Sequence, residues 1–202
     1  MNKISLKNSN PSRLVALVGI MAATISCAKL ALSFLPNVEV VTFLIAVYSY
    51  VFGFAGVISA LVFVCVEPLI WGFGAWVITY FIYWPALALL FCLLGKTKRG
   101  TRWSATGIAL AMTLLFGVLS SVIDVLFLTG ITPYFFGNLL LFYSRGFVFY
   151  AIQLACNAVL FFTLFEFTVR KLAIIKGERS DGIWKKAKTS AKESKNTSRE
   201  KP

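Results

Sequence analysis

From Val38 to Trp71 the chain runs for 34 residues with no charge except Glu39 and Glu67, close to its two ends. A bilayer core of about 30 Å takes roughly 20 helical residues, so this run is long for one crossing and short for two. The rest of the sequence shows that a bilayer is the right solvent to consider. Of 202 residues 58% are hydrophobic and only 14% charged, with a mean hydropathy of +0.80. That is about half the charge of a soluble domain, and it excludes a single water-soluble fold. Disorder is excluded for most of the chain as well, because 19 Phe and 5 Trp cannot remain solvated.

The remaining apolar runs define the other spans. Residues 14–35 supply one, 77–95 another, about 104–129 a third, and a last one begins near 138 and ends near 169. The apolar run of the first span is long and lacks a clear small-residue cleavage site, so it reads as a span and not as a cleavable signal. Reading Val38–Trp71 as one span would put the N-terminus and the Lys96–Arg102 loop on opposite sides. Reading it as a hairpin that turns at Phe52-Gly53-Phe54-Ala55-Gly56 puts both, with the C-terminal tail, on one side. The positive-inside rule selects the hairpin. Its first limb, Val40 to Phe52, is only about 20 Å long as a helix and must pack against protein. The expected fold is therefore an all-α integral membrane protein with six transmembrane helices and both termini cytoplasmic. Residues 1–12 form an N-terminal tail, 13–171 the membrane domain, and 172–202 a basic, disordered cytoplasmic tail.

The net charge of +12 belongs to the ends and one loop. Lys3, Lys7 and Arg13 lie at the start, Lys96, Lys98, Arg99 and Arg102 in the loop, and eleven of the 20 basic residues from Arg170 onward. This is juxtamembrane charge and not a nucleic-acid surface, which needs a folded basic face. The outer connections, Leu35–Glu39, Gly72–Trp76 and Gly130–Gly137, hold one charge between them and many turn formers. Trp71, Trp76, Tyr80, Tyr83 and Trp84 crowd the outer ends of spans 3 and 4. They suit either an interfacial aromatic belt or a stacking wall for a planar ligand.

Chemistry-bearing motifs are scarce. Histidine is absent, which removes His-based triads and His metal sites. Cys27, Cys65, Cys92 and Cys156 stand singly in apolar runs and read as small buried residues. Gly95-Lys96-Thr97 imitates the end of a phosphate-binding loop, but Leu90 stands where the first glycine is required. Asn196-Thr197-Ser198 fits a glycosylation pattern inside the expected cytoplasmic tail. No cofactor is implied.

Charges within spans are more informative, since each costs about 2.5–3.5 kcal/mol on insertion scales. Glu166 and Arg170, four apart, read as a structural helical pair. Asp124 lies about 9 Å inward from Gly130 and Arg145 about 12 Å inward from Gly137, on adjacent antiparallel helices. Lys29 is about 8 Å from the end of span 1 and Glu67 about 6 Å from Trp71. Two acids and two bases thus share the outward third. Asp124 and Arg145 are expected to face each other, as an ion pair or as part of an outward-opening pocket, while Lys29 either joins this group or snorkels to the interface.

Leu35-Pro36-Asn37-Val38-Glu39-Val40-Val41-Thr42 after span 1, then Tyr50-Val51-Phe52-Gly53, Glu67 and Trp71-Gly72-Phe73-Gly74-Ala75-Trp76, in this order and spacing, resemble the substrate-binding S components of energy-coupling factor (ECF) transporters. The resemblance covers about residues 12–170. It implies a multi-pass protein of the cell membrane that captures a water-soluble vitamin or related trace nutrient from outside, and no enzyme activity. It also implies two kinds of partner, a transmembrane T subunit and two cytoplasmic ATPases that energise import. The family's Ala-x-x-x-Ala contact with the T subunit is matched by Gly19 and Ala23, with Cys27 continuing the row. Gly19 departs from the pattern but keeps its physics, since small residues four apart let helices approach closely. Phe54 stands where many relatives carry proline. By position, the resemblance places Asn37, Glu39, Glu67, Trp76, Asp124, Asn138 and Arg145 among the substrate-binding candidates.

Two other classes compete: a stand-alone solute carrier, which needs an internal repeat or a through-going polar path, and a membrane-embedded enzyme, which needs clustered acids or a histidine. The topology is open to direct test. In a background lacking the native cysteines, Pro36→Cys and Gly130→Cys should label with an impermeant maleimide on intact cells, and Gly100→Cys only after permeabilisation. Labelling of Gly100→Cys on intact cells would overturn the six-span arrangement.

Overall fold

The structure, a computed structural model, describes residues 11–35, 38–97 and 101–177. The expected tails, residues 98–100 and Asn37 lie wholly or mostly outside the described residues. Those residues form seven helices: α1 (Pro11–Ala31), α2 (Val41–Phe52), α3 (Phe54–Trp71), α4 (Ala75–Thr97), α5 (Arg102–Leu128), α6 (Phe135–Arg145) and α7 (Phe147–Ile175). The protein is an all-helical membrane protein. Five helices, α1, α3, α4, α5 and α7, are long and apolar enough to cross a bilayer.

Side-chain contacts fix the direction of each helix. Lys29 pairs with Glu67 and reaches Tyr80, which gathers the end of α1, the end of α3 and the start of α4. At the opposite end, Lys176 Nζ donates to the Val51 carbonyl at 2.6 Å and the Arg102 backbone N–H donates to Glu166 at 3.3 Å. Thus α1, α3 and α5 run one way, and α2, α4 and α7 run back. One end of the bundle is basic and the other aromatic.

The distribution of side chains suits lipid. Leu69, Phe73, Leu93, Phe147, Val148 and Val159 are exposed on the outer surface, whereas Thr42, Ser49, Ser59, Glu67, Thr113, Ser121 and Asn157 are buried. In hydrocarbon every polar group must find a partner inside the protein. The hydroxyls of Thr113 and Ser121 do so by bonding the carbonyls of Ala109 and Gly117 one helical turn back, both at 2.8 Å. Cys92 is buried as expected, but Cys27 and Cys65 face outward.

Helix α2 has 12 residues, about 18 Å, and ten of them are buried. It is held by two glycines that admit backbone contact. A Cβ on Gly56 would lie 2.5 Å from the Ser49 backbone, and one on Gly95 2.3 Å from the Tyr50 carbonyl oxygen. The turn into α3 is made by Gly53 at φ +63°, a conformation side chains resist.

The last span departs from the sequence expectation. Instead of one helix over 138–169, the chain breaks at Gly146, between α6 and α7. Tyr150 packs there so closely that a Cβ on Gly146 would come within 2.4 Å of its ring. With 29 residues, about 43 Å, α7 needs no help from α6 to cross. Accordingly α6 buries none of its residues.

Gly95→Ala and Gly56→Ala should each destabilise the detergent-solubilised protein by about 1–3 kcal/mol, the usual cost of overpacking. Gly107→Ala, whose Cβ would meet no atom within 4 Å, should be neutral or stabilising by up to about 1 kcal/mol. Thermal unfolding followed by circular dichroism separates the two classes, and equal midpoints would show that α2 is not seated this closely.

Candidate ligand site

The residues just before α2 do not cap the bundle; they enter it. After Ala31 the chain turns, with Leu35 N–H donating to the Leu32 carbonyl at 2.9 Å. Val38–Val40 are then non-helical and half-buried. The Glu39 carbonyl accepts from Cys156 Sγ at 3.4 Å, and Cys156 lies about 14 Å into α7. Non-helical backbone at such a depth is tolerated only where protein surrounds it or it lines a cavity. It lines a cavity here.

That cavity, of about 20 Å³, is bounded by Glu39, by Tyr80, Tyr83 and Trp84 of α4, by Thr113 and Phe116 of α5, and by Gln153 of α7. Spacing of i, i+3 and i+4 puts the three α4 residues on one helix face. Their rings pack edge to face, Tyr80 on Trp84 at 5.6 Å and Tyr83 on Phe116 at 4.8 Å between centroids. Tyr83 and Trp84 are 3% and 2% exposed, so these two belong to the interior and not to an interfacial belt. Trp71, by contrast, is exposed.

The polar groups of the wall are partly satisfied. Glu39 accepts from the Thr42 hydroxyl at 2.8 Å, and Thr113 accepts from Asn157 Nδ2 at 3.0 Å. The indole N–H of Trp84 and the amide oxygen of Asn157 are buried without a protein partner. Beside the cavity Lys29 pairs with Glu67, which is 1% exposed. The Lys29 ammonium also lies 3.3 Å from the Tyr80 hydroxyl and 4.9 Å from that ring's centre. It turns inward to an acid and an aromatic face and does not snorkel.

The sequence candidates therefore separate. Glu39 lines the cavity; Glu67 stands beside it, paired; Trp76 stacks edge-on against Tyr80 at 5.0 Å. Asn37 lies outside the described residues. Asn138 reaches Thr129 at 3.5 Å and ties α6 to the end of α5. The expected meeting of Asp124 and Arg145 does not occur: among the described residues no ion pair joins them. Asp124 is half-buried on α5, and Arg145 is exposed with its guanidinium 5.8 Å from the Phe142 ring. The depth count took 138–145 for the outer end of a span, whereas α6 is a separate helix that buries none of its residues, so Arg145 stays on the surface. Glu166 pairs with Arg170 at 3.7 Å as expected, and with Arg102 at 3.7 Å in addition. Gly19, Ala23 and Cys27 form an exposed row on α1. Thr113 and Phe116 were missed because, singly, they are ordinary apolar-helix residues. Only their i, i+3 spacing opposite the α4 aromatics marks them.

In comparison with known proteins, the chain matches no family model, no curated protein and no solved structure.

Breaking the Lys29–Glu67 pair from one side should be costly, because Glu67 then keeps a buried, unpaired charge. Lys29→Met should lose about 3–5 kcal/mol, and the double variant Lys29→Met/Glu67→Gln should lose less than Lys29→Met alone. Unfolding midpoints of both variants check the order; a double variant worse than the single would mean the charge is not the source of the loss.

Proposed function

We propose that the chain is the substrate-capturing membrane subunit of an ECF-type importer, binding a water-soluble vitamin or related trace nutrient and passing it on in complex with a T subunit and two ATPases. The observation that carries this reading is the stretch Val38–Val40, which lies within the bundle and places Glu39 in a cavity walled by aromatic and polar side chains. A subunit that only captures needs such a site at one end and a closed bundle at the other. Toward the basic end, Leu87, Phe91, Phe161 and Phe165 are all fully buried, and the three phenylalanines pack ring on ring. That apolar plug favours capture with a partner over a stand-alone carrier.

In this reading α2 completes six crossings. The basic end, with Lys96, Arg102, Arg170, Lys171 and Lys176, faces the cytoplasm of a cell whose outer boundary membrane holds the protein. The cavity then lies toward the outside. The row Gly19, Ala23, Cys27 is the face for the T subunit; a Cβ on Gly19 would meet nothing within 4 Å, so the chain itself leaves that surface open.

Co-expression with a T subunit and its ATPases from the same cell tests the proposal. The three should co-purify with the wild-type chain, while Gly19→Leu and Ala23→Leu should reduce recovery of the complex and uptake at least ten-fold without changing the unfolding midpoint. Undiminished association in both variants would move the interface elsewhere, and no association with the wild type would overturn the proposal.

A further inference from the structure

At the basic end of the bundle a groove of about 230 Å³ opens between the start of α5 and the last part of α7, walled by Arg102, Phe162, Thr163, Glu166, Phe167 and Arg170. These walls hold two guanidiniums and one carboxylate, a net positive charge. Glu166 stands between the arginines, one oxygen 3.7 Å from each, and also accepts the Arg102 backbone N–H at 3.3 Å. The Arg102 guanidinium lies 5.6 Å from the centre of the Phe162 ring, and Trp103 packs edge-on against that ring at 5.0 Å. Acid and ring thus hold the guanidinium at the groove, although Arg102 and Arg170 are both about half exposed. The Thr163 hydroxyl is spent on the Val159 carbonyl, so the charge comes from the arginines.

The groove changes character with depth. Trp103, exposed in the first turn of α5, marks the level of the headgroups. Phe162 and Val159 lie about 6 Å and 10 Å further in along α7 from Glu166, and both are exposed, as is Phe167. Guanidiniums at headgroup level, continued by bare apolar surface at acyl-chain level, match a phospholipid. An acidic protein segment outside the bilayer would leave that apolar track unused. The planar guanidinium fork fits a phosphate, and basic pockets between spans bind anionic headgroups. We infer that this groove is a binding site for an anionic phospholipid, with the phosphate between Arg102 and Arg170 and an acyl chain along Phe162 and Val159. The net charge of the walls disfavours a headgroup that carries its own cation beside the phosphate. The inference needs only a membrane position and does not rest on the importer reading.

Phosphatidylglycerol and phosphatidylcholine with the same brominated acyl chains separate charge from shape. The protein is reconstituted in vesicles of unbrominated phosphatidylcholine that contain a graded fraction of one brominated lipid. Quenching of Trp103 is the difference between the wild type and Trp103→Phe. Phosphatidylglycerol should bind at least about five-fold more tightly than phosphatidylcholine. Arg102→Gln and Arg170→Gln should each remove most of that preference. Lys96→Gln, which takes the same charge from the same end but from α4, should keep it. Equal binding of the two lipids, or an equal loss in Lys96→Gln, would overturn the inference, because charge spread over the whole end then suffices. Inorganic phosphate added at constant ionic strength should leave the quenching unchanged; its reversal would assign the groove to a soluble anion and overturn the lipid. Should an arginine variant unfold, the comparison of the two lipids in the wild type and in Lys96→Gln still decides.

Discussion

A bilayer offers no water to an unpaired peptide group, and the whole arrangement follows from how the chain meets that demand at Val38–Val40. Non-helical backbone cannot face hydrocarbon. Once Val38–Val40 lie between the helices, they must be enclosed by protein, and neighbouring side chains must answer their polar groups. Cys156 answers the Glu39 carbonyl and Thr42 its carboxylate. The aromatic face of α4 fills the remaining space with rings too large to pack without a gap. A cavity is the geometric residue of enclosing an irregular segment within regular ones.

The descent also accounts for the short second helix. Residues spent on the way in are not available to α2, which starts at the level of Cys156 and reaches the basic end with 12 residues. Its backbone approaches α3 and α4 through Gly56 and Gly95, and its last turn receives Lys176 on the Val51 carbonyl. That lysine satisfies one of the carbonyls a helix end leaves open. The same charged end carries the Arg102–Glu166–Arg170 cluster, so one region closes three helix termini.

Much of this was legible in the sequence, and the parts that were not have a common cause. The long apolar helices, the Gly53 turn and the need to bury Val40–Phe52 follow from length and composition, which a bilayer enforces strictly. Glu39 stood out because it is charged. The partnership of Lys29 with Glu67 was open to depth counting, since both lie near the ends of parallel helices. Asp124 and Arg145 passed the same count and yet do not pair, because α6 is a separate helix that buries no residue, and the break behind it is set by how Tyr150 packs on Gly146 and Gly117, a tertiary fact. Thr113, Phe116 and Gln153 acquire meaning only across a helix interface, which no single segment records.

The walls of α2 also set an order of assembly. A 12-residue segment is too short to partition into a bilayer by itself, and α3 gives it cover on one side only. Its remaining cover comes from α1, where Thr24 bonds Tyr48, from α4, and from α7, through Phe43 on Phe161 and Tyr50 on Phe165. During synthesis α7 emerges last. The second helix is thus among the first made and the last to be properly seated, and until α7 arrives the nascent bundle holds an open seam along it.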